Sequence, residues 1–276
     1  MAAEIVQPPR NPAAAVYDAA ADFFDTAAVT CWDRFGQRTV DRLSLCAGAH
    51  VLDVCCGSGG SALPAARAVG RNGRVIGIDL AEKLLACARA KAKSEGLANV
   101  EFRAVDLDTL EGVTGDFDAV VCVFGIFFVS DMAGALARLW KRVRPGGALA
   151  VTSWGPRLFE PASTAFWDAV QRVAPAHHKT FSPWDRIAEP TDLRGLFEAS
   201  GIGDVKVEPE AATHALASPE DWWTIVLGSG YRGTLEQLDR DAREQVRTLT
   251  LDRLRADKVG SIEANVLYAT ARRSLA

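Results

Sequence analysis

Between His50 and Trp154 the chain repeats one pattern: a short apolar run, a break carrying glycine or aspartate, then a stretch with helical periodicity. The apolar runs are HVLDVCC (50–56), RVIGIDL (74–80), NVEFRAVD (99–106), FDAVVCVFG (117–125) and ALAVTSW (148–154). They do not alternate strictly between apolar and polar, as expected for strands buried on both faces of a parallel sheet. Helical stretches separate them: one to about Val69, one over about 81–95, and one from a cap at Ser130 or Asp131 to Arg144-Pro145-Gly146-Gly147. Strand–helix alternation with short loops and right-handed crossovers restricts such a chain to a doubly wound α/β sheet with helices on both faces.

The flanks extend this plan. From Ala13 to about Leu45, Val16, Phe23, Phe24, Trp32, Phe35, Val40 and Leu43 recur at steps of three and four, which predicts helix. That helix precedes the alternating unit, so it must bury its apolar face against the sheet's carboxyl edge or against the insertion that follows Trp154, and it is expected to act as a lid. Residues 1–45 are therefore expected to form a loose tail and lid helices, ahead of a single domain over 46–276. After Trp154 the rhythm breaks. Pro156, Pro161, Pro175, Pro183 and Pro190, with several aromatics, predict a substrate-covering insertion at about 155–200, and a second is expected at about 211–262. Helix over 191–200 leads to a strand at DVKVEPE (204–210). Ser218-Pro219-Glu220-Asp221 opens a helix with a hydroxyl cap, an early proline and acids facing the dipole. A helix over 234–256 precedes a last strand, NVLYATARR (265–273), taken as antiparallel because no crossover follows. The expected sheet is Rossmann-like, seven-stranded and mostly parallel.

The formal charge of −4, without long runs, gives no basic footprint for nucleic acid or an anionic membrane. The longest apolar run, from Ala119, is far too short to span a bilayer, and MAAEIVQPPR lacks a signal peptide's apolar core. Six cysteines without C-x-x-C pairs suggest reduced, mostly buried thiols in a cytoplasmic protein. No cluster of Cys, His and acids has metal-ligand spacing. A small-molecule substrate is the expected partner, and a homo-oligomer is compatible with the sequence.

In an open α/β sheet, ligands bind beyond the carboxyl ends of the strands. The first strand ends in Asp53-Val54-Cys55-Cys56-Gly57-Ser58-Gly59-Gly60, whose glycines allow a tight turn and close approach of a ligand. Asp79 ends the second strand, 79 − 57 = 22 residues after Gly57. A carboxylate there can accept both hydroxyl protons of a ribose. Gly57-Ser58-Gly59-Gly60-Ser61-Ala62 also satisfies the loose dinucleotide fingerprint, so a nicotinamide-dependent oxidoreductase stays open beside a methyltransferase. A catalytically silent assembly protein of the same fold is the third reading.

Four segments, VLDVCCGSGGSALPAARAVG, VIGIDLAEKLLACARAKA, VEFRAVDLDTL and FDAVVCVFGIFFVSDMAGALARLWKRVRPGGALAVTSW, resemble in order the motifs of class I S-adenosylmethionine-dependent methyltransferases. The resemblance is to the small-molecule branch related to the ubiquinone and menaquinone biosynthesis C-methyltransferases. It covers about residues 13–154, and the remainder only in layout. It implies S-adenosyl-L-methionine as cofactor and S-adenosyl-L-homocysteine as product. Asp53 would lie near the methionine amino end, Gly57 and Gly59 in the cofactor loop, Asp79 with Leu80 at the ribose, and Asp106 with Leu107 at the adenine. Phe124 follows strand four in a hydrophobic turn, and Tyr17 and Trp32 are expected to reach the cofactor or acceptor from the lid. Cys55 departs from the pattern, which usually has its first glycine there.

The turn after strand four lacks the Asn- or Asp-Pro-Pro-aromatic of amino-methylating nucleic-acid enzymes and the Pro-Cys of cytosine C5 enzymes. Phe127-Phe128-Val129 offers magnesium none of the oxygen ligands it demands. A sulfonium already activates its methyl group, so a base is needed only if the acceptor must lose a proton. The candidates are His177, His178 and His214, since imidazole titrates near neutral pH. Phe159, Phe166, Trp167, Phe181, Trp184, Trp222 and Trp223 suggest a wall for an apolar or aromatic acceptor. The acceptor atom, O, N, C or S, is not encoded in any motif.

Overall fold

A computed structural model describes residues 12–26 and 31–275; the tail at 1–10 lies outside the described residues. Each of the five apolar runs becomes a strand: β1 (His50–Val54), β2 (Arg74–Asp79), β3 (Val100–Ala104), β4 (Phe117–Val123) and β5 (Val143–Trp154). The chain then adds β6 (Lys206–Glu210), the three-residue strands β7 (Thr213–Ala215) and β8 (Ser261–Glu263), and β9 (Val266–Arg272). Seven of these form one sheet in the order β3-β2-β1-β4-β5-β9-β6, while β7 and β8 pair separately. The five leading strands are mutually parallel, and β9 runs antiparallel to both β5 and β6. The seven-stranded, mostly parallel sheet with its antiparallel last strand is thus as expected.

Side-chain parity explains why these strands read as continuous apolar runs. Val51, Val75, Ala119 and Ala148, which are register partners in turn, point into one core with α3 (Ala62–Val69) and α4 (Glu82–Ser94). Their neighbours Leu52, Ile76, Val120 and Leu149 point into the other core, with α5 (Met132–Lys141), α6 (Ala162–Val173) and α7 (Pro190–Ala199). Both faces are covered, so both parities must be apolar.

The predicted N-terminal helix is two helices, α1 (Pro12–Phe24) and α2 (Cys31–Leu43). Gly36 lets α2 lie directly on the loop after β1: a Cβ there would sit 2.2 Å from the Gly60 carbonyl oxygen. Of the two candidate caps for α5, Asp131 holds the position, accepting from the Gly134 amide at 2.8 Å.

Three boundaries differ from expectation. Arg144–Gly147 belongs to β5, because a register shift between Phe117 and Ala119 absorbs it and the Gly146 amide bonds the Arg273 carbonyl at 2.8 Å. The region after Trp154 holds a regular helix, α6. After α8 (Pro219–Leu227), the predicted helix over 234–256 is split into α9 (Arg232–Leu235) and α10 (Arg240–Ala256), because Asp239 caps the latter through the Ala242 amide at 2.8 Å.

Candidate functional site

The carboxyl ends of β1, β2 and β4, the turn after β3 and the helix α1 line a cavity that opens to solvent. Its floor begins where β1 leaves the sheet. Cys55 takes a left-handed φ of 57° and Gly57 one of 52°, and together they turn the chain sharply under α3. The loop is held from β2: Asp79 Oδ2 accepts from the Gly57 amide at 2.8 Å, and Oδ1 accepts from the Ala81 amide at 2.9 Å. One carboxylate therefore fixes both the glycine loop and the entry to α4, while still facing the cavity. Burial pushes its pKa up, and the backbone donors work against that shift.

Eight of the ten residues singled out for a cofactor line this space: Tyr17, Trp32, Gly57, Asp79, Leu80, Asp106, Leu107 and Phe124. Two do not. Gly59 faces α3 and α4, where a Cβ would meet Leu63 and Ala88. Asp53 is fully buried beneath the loop; its Oδ2 accepts from the Ser61 hydroxyl at 2.7 Å and its Oδ1 has no partner. Burial raises its pKa to about 7, opposed by the Ser61 hydrogen bond. Of the two acids after β3, Asp106 lines the cavity, while Asp108 is engaged by Arg138 at 3.1 Å.

The rest of the cavity is aromatic. Phe124 stacks on Trp154 with ring centres 3.8 Å apart. Trp32 stands edge-on to Trp154 and stacks on Phe24, and Tyr17 meets Phe128 edge-on. Burial keeps the Tyr17 phenol protonated by raising its pKa. Trp184 reaches the cavity from the segment Pro183–Ile187, which Arg186 anchors by donating to the carbonyls of Phe127 at 2.7 Å and Val129 at 3.1 Å.

Of the seven aromatics noted after β5, Trp184 alone lines the cavity. Phe159, Phe166, Trp167 and Trp222 instead pack around Tyr231. Phe24, on the apolar face expected of the lid, lines it too, and so do Asp33, Phe127, Phe128 and Trp154, which were not singled out. Trp154 was findable, because it ends a parallel strand at the edge where ligands bind. The histidines are elsewhere. His177 contacts Gln237, His178 packs on Trp167, His214 lies on β7, and none lines the cavity. Among the described residues no group of three or more His, Cys, Asp or Glu could hold a metal ion.

The donor set suits an adenosyl cofactor. Acids stand at the ends of β2 and β3, Leu80 and Leu107 lie beside them, and a glycine loop adjoins an aromatic wall. Fold and site together fit the class of S-adenosylmethionine-dependent methyltransferases. Within that class, residues 7–183 match the model of the ubiE/COQ5 methyltransferase family, and the chain belongs to that family. It is 35% identical over 137 residues to the aklanonic acid methyltransferase DauC of Streptomyces sp. (strain C5), covering 50% of this chain and 62% of that protein. It is 30% identical over 165 residues to the ubiquinone/menaquinone biosynthesis C-methyltransferase UbiE of Cronobacter sakazakii, covering 59% and 64%. The chain thus spans under two thirds of either relative. A solved structure of the [4+2]-cyclase SpnF shares the fold, with a TM-score of 0.55 at 21% identity over 88% of this chain and 81% of that one. No helix among the described residues is long and apolar enough to cross a membrane.

Proposed function

We propose that this chain transfers a methyl group from S-adenosylmethionine to a small apolar or aromatic acceptor, in the cytoplasm and without nucleic acid as partner. The observation that carries this reading is a single cavity lined by Asp79, Asp106 and the glycine loop together with Trp32, Phe124, Trp154 and Trp184. When bound, the cofactor supplies a methyl group already activated on a sulfonium. Asp79 would accept from the ribose hydroxyls, and Asp106 from the adenine amino group. Leu80 and Leu107 would flank the adenosine. The stacked pair Phe124–Trp154 gives a flat acceptor a flat surface beside the donor, so catalysis rests on alignment and the exclusion of water. No histidine lines the cavity, and the neutral Tyr17 phenol is a poor base, so the acceptor must bring its own nucleophilic lone pair or carbon.

Calorimetry tests the reading. S-adenosylmethionine and S-adenosylhomocysteine should bind at micromolar levels, and NAD and NADP should not. Tight nicotinamide binding without sulfonium binding overturns it in favour of the oxidoreductase. Cofactor binding without turnover on any acceptor, screened with isotopically labelled methyl donor, favours the silent assembly protein.

A further inference from the structure

Three elements that close the cavity meet at one ammonium. Lys91, on α4, donates to Asp25 Oδ1 at 2.7 Å and to Ser58 Oγ at 3.2 Å, and lies 3.9 Å from Asp33 Oδ2. Ser58 donates to the same Asp25 oxygen at 2.7 Å. Asp25 directly follows α1, Asp33 sits in the first turn of α2, and Ser58 is a buried member of the glycine loop that lines the cavity. A second tie lies further back along α1, where Asp18 Oδ1 accepts from the Lys83 amide at 2.9 Å. That amide is one of the donors a helix start leaves unsatisfied, and a carboxylate there also suits the dipole. Next to these ties α1 turns Tyr17 and Phe24 into the cavity, and the Phe24 ring lies 3.8 Å from where a Gly57 Cβ would be. The helix therefore rests on the cofactor loop along its inner face.

Packing alone does not account for this arrangement. Asp25 and Asp33 are like charges brought to one side of the loop, and Lys91 sets one positive charge beside both, which offsets their repulsion. Without it each carboxylate would push the other, and so α1 away from α2. The Lys91 and Asp25 side chains are 28% and 29% exposed, which leaves water and salt able to compete for the contact.

We propose that Lys91 is a positioning residue that latches α1 over the cofactor loop, so that the cofactor enters and leaves only when the Lys91–Asp25–Ser58 contact parts. This rests on the reading that the cavity holds S-adenosylmethionine. The latch acts on exchange of the cofactor and not on the methyl transfer step.

The test uses the full chain, its Lys91→Met and Asp25→Asn variants and the double variant. Hydrogen exchange of residues 12–25 is followed without ligand, since locally opening segments exchange faster. Dissociation of S-adenosylhomocysteine is followed by stopped-flow fluorescence, with Trp32 in the cavity wall as reporter. Each single variant should speed exchange in 12–25 and dissociation about fivefold, which is about 1 kcal/mol. The double variant should be no faster than either single one, and Lys91→Arg should restore most of the wild-type rate. Raising salt from 0.05 to about 0.5 M should speed dissociation from wild type and leave the double variant unmoved, since screening acts only on an intact ion pair. Unchanged exchange and dissociation in Lys91→Met, or additive effects in the double variant, overturn the latch. Exchange in the ligand-free protein decides the latch even where a wild type that ignores S-adenosylhomocysteine refutes the cofactor reading.

Discussion

Replacing Asp53 by asparagine should stabilise the ligand-free protein at pH 8 and leave it nearly unchanged at pH 4. Asp53 has no exposed surface, a single hydrogen bond from Ser61, and a carboxyl pKa raised from 3.8 to about 7 by burial. The unfolded chain restores the ordinary value. Between these two values the folded state holds a proton that the unfolded state has released. The stability contributed by this group is therefore complete below pH 4 and is lost as pH rises toward 7. A displacement of about three pH units corresponds to about 4 kcal/mol at 1.36 kcal/mol per unit, and this is a ceiling. Asparagine matches the protonated acid in size and can still accept from Ser61, but it never ionises. Other groups also titrate in this range. Asp33 and Asp79 are raised like Asp53, whereas Glu95 and Glu263 are lowered by their arginine partners. The informative quantity is thus the difference between variant and wild type, measured by urea unfolding at half-unit steps from pH 4 to 8. It should rise steadily in the variant's favour. A flat difference, or one falling with pH, would refute the argument that Asp53 is buried at a cost.

Asp79→Ala should weaken S-adenosylhomocysteine binding by about 1.5–3 kcal/mol by calorimetry, the range for hydrogen bonds to a charged group. It should also lower stability, because the Gly57 and Ala81 amides lose their acceptor; unchanged affinity would remove Asp79 from the ribose role. Gly36→Ala should destabilise the fold by about 1–3 kcal/mol by chemical denaturation, since its Cβ would meet the Gly60 carbonyl and force α2 off the loop. A variant as stable as wild type would show that this interface yields easily.

How much of this was legible depended on which rule each residue obeyed. The five leading strands declared themselves because burial on both faces demands apolar residues at every position. β7 and β8 did not, because Thr213–Ala215 and Ser261–Glu263 are too short to show any period. The glycine loop and Asp79 were readable from spacing. The orientation of Asp53 was readable as well, from a cue spacing does not contain. On β1 it shares parity with Val51, which points toward α3 and not along the sheet to the cavity. Asp33 stayed hidden because the rotation of a helix about its axis is set by tertiary packing. The histidines drew notice for their chemistry, yet their neighbours are Gln237, Trp167 and a two-stranded sheet separate from the main one.

The reversed direction of β9 has a practical consequence for handling this protein. Val266 pairs with Trp154 at the cavity edge, and Arg272 pairs with Ala148 at the opposite edge. Polypeptide appended after Leu275 would therefore emerge on the far side of the sheet from the cavity, where a purification tag, fluorophore or surface tether would leave ligand access unobstructed. An attachment ahead of α1 would instead join a helix whose first turn, at Ala13 and Ala14, lines the cavity itself.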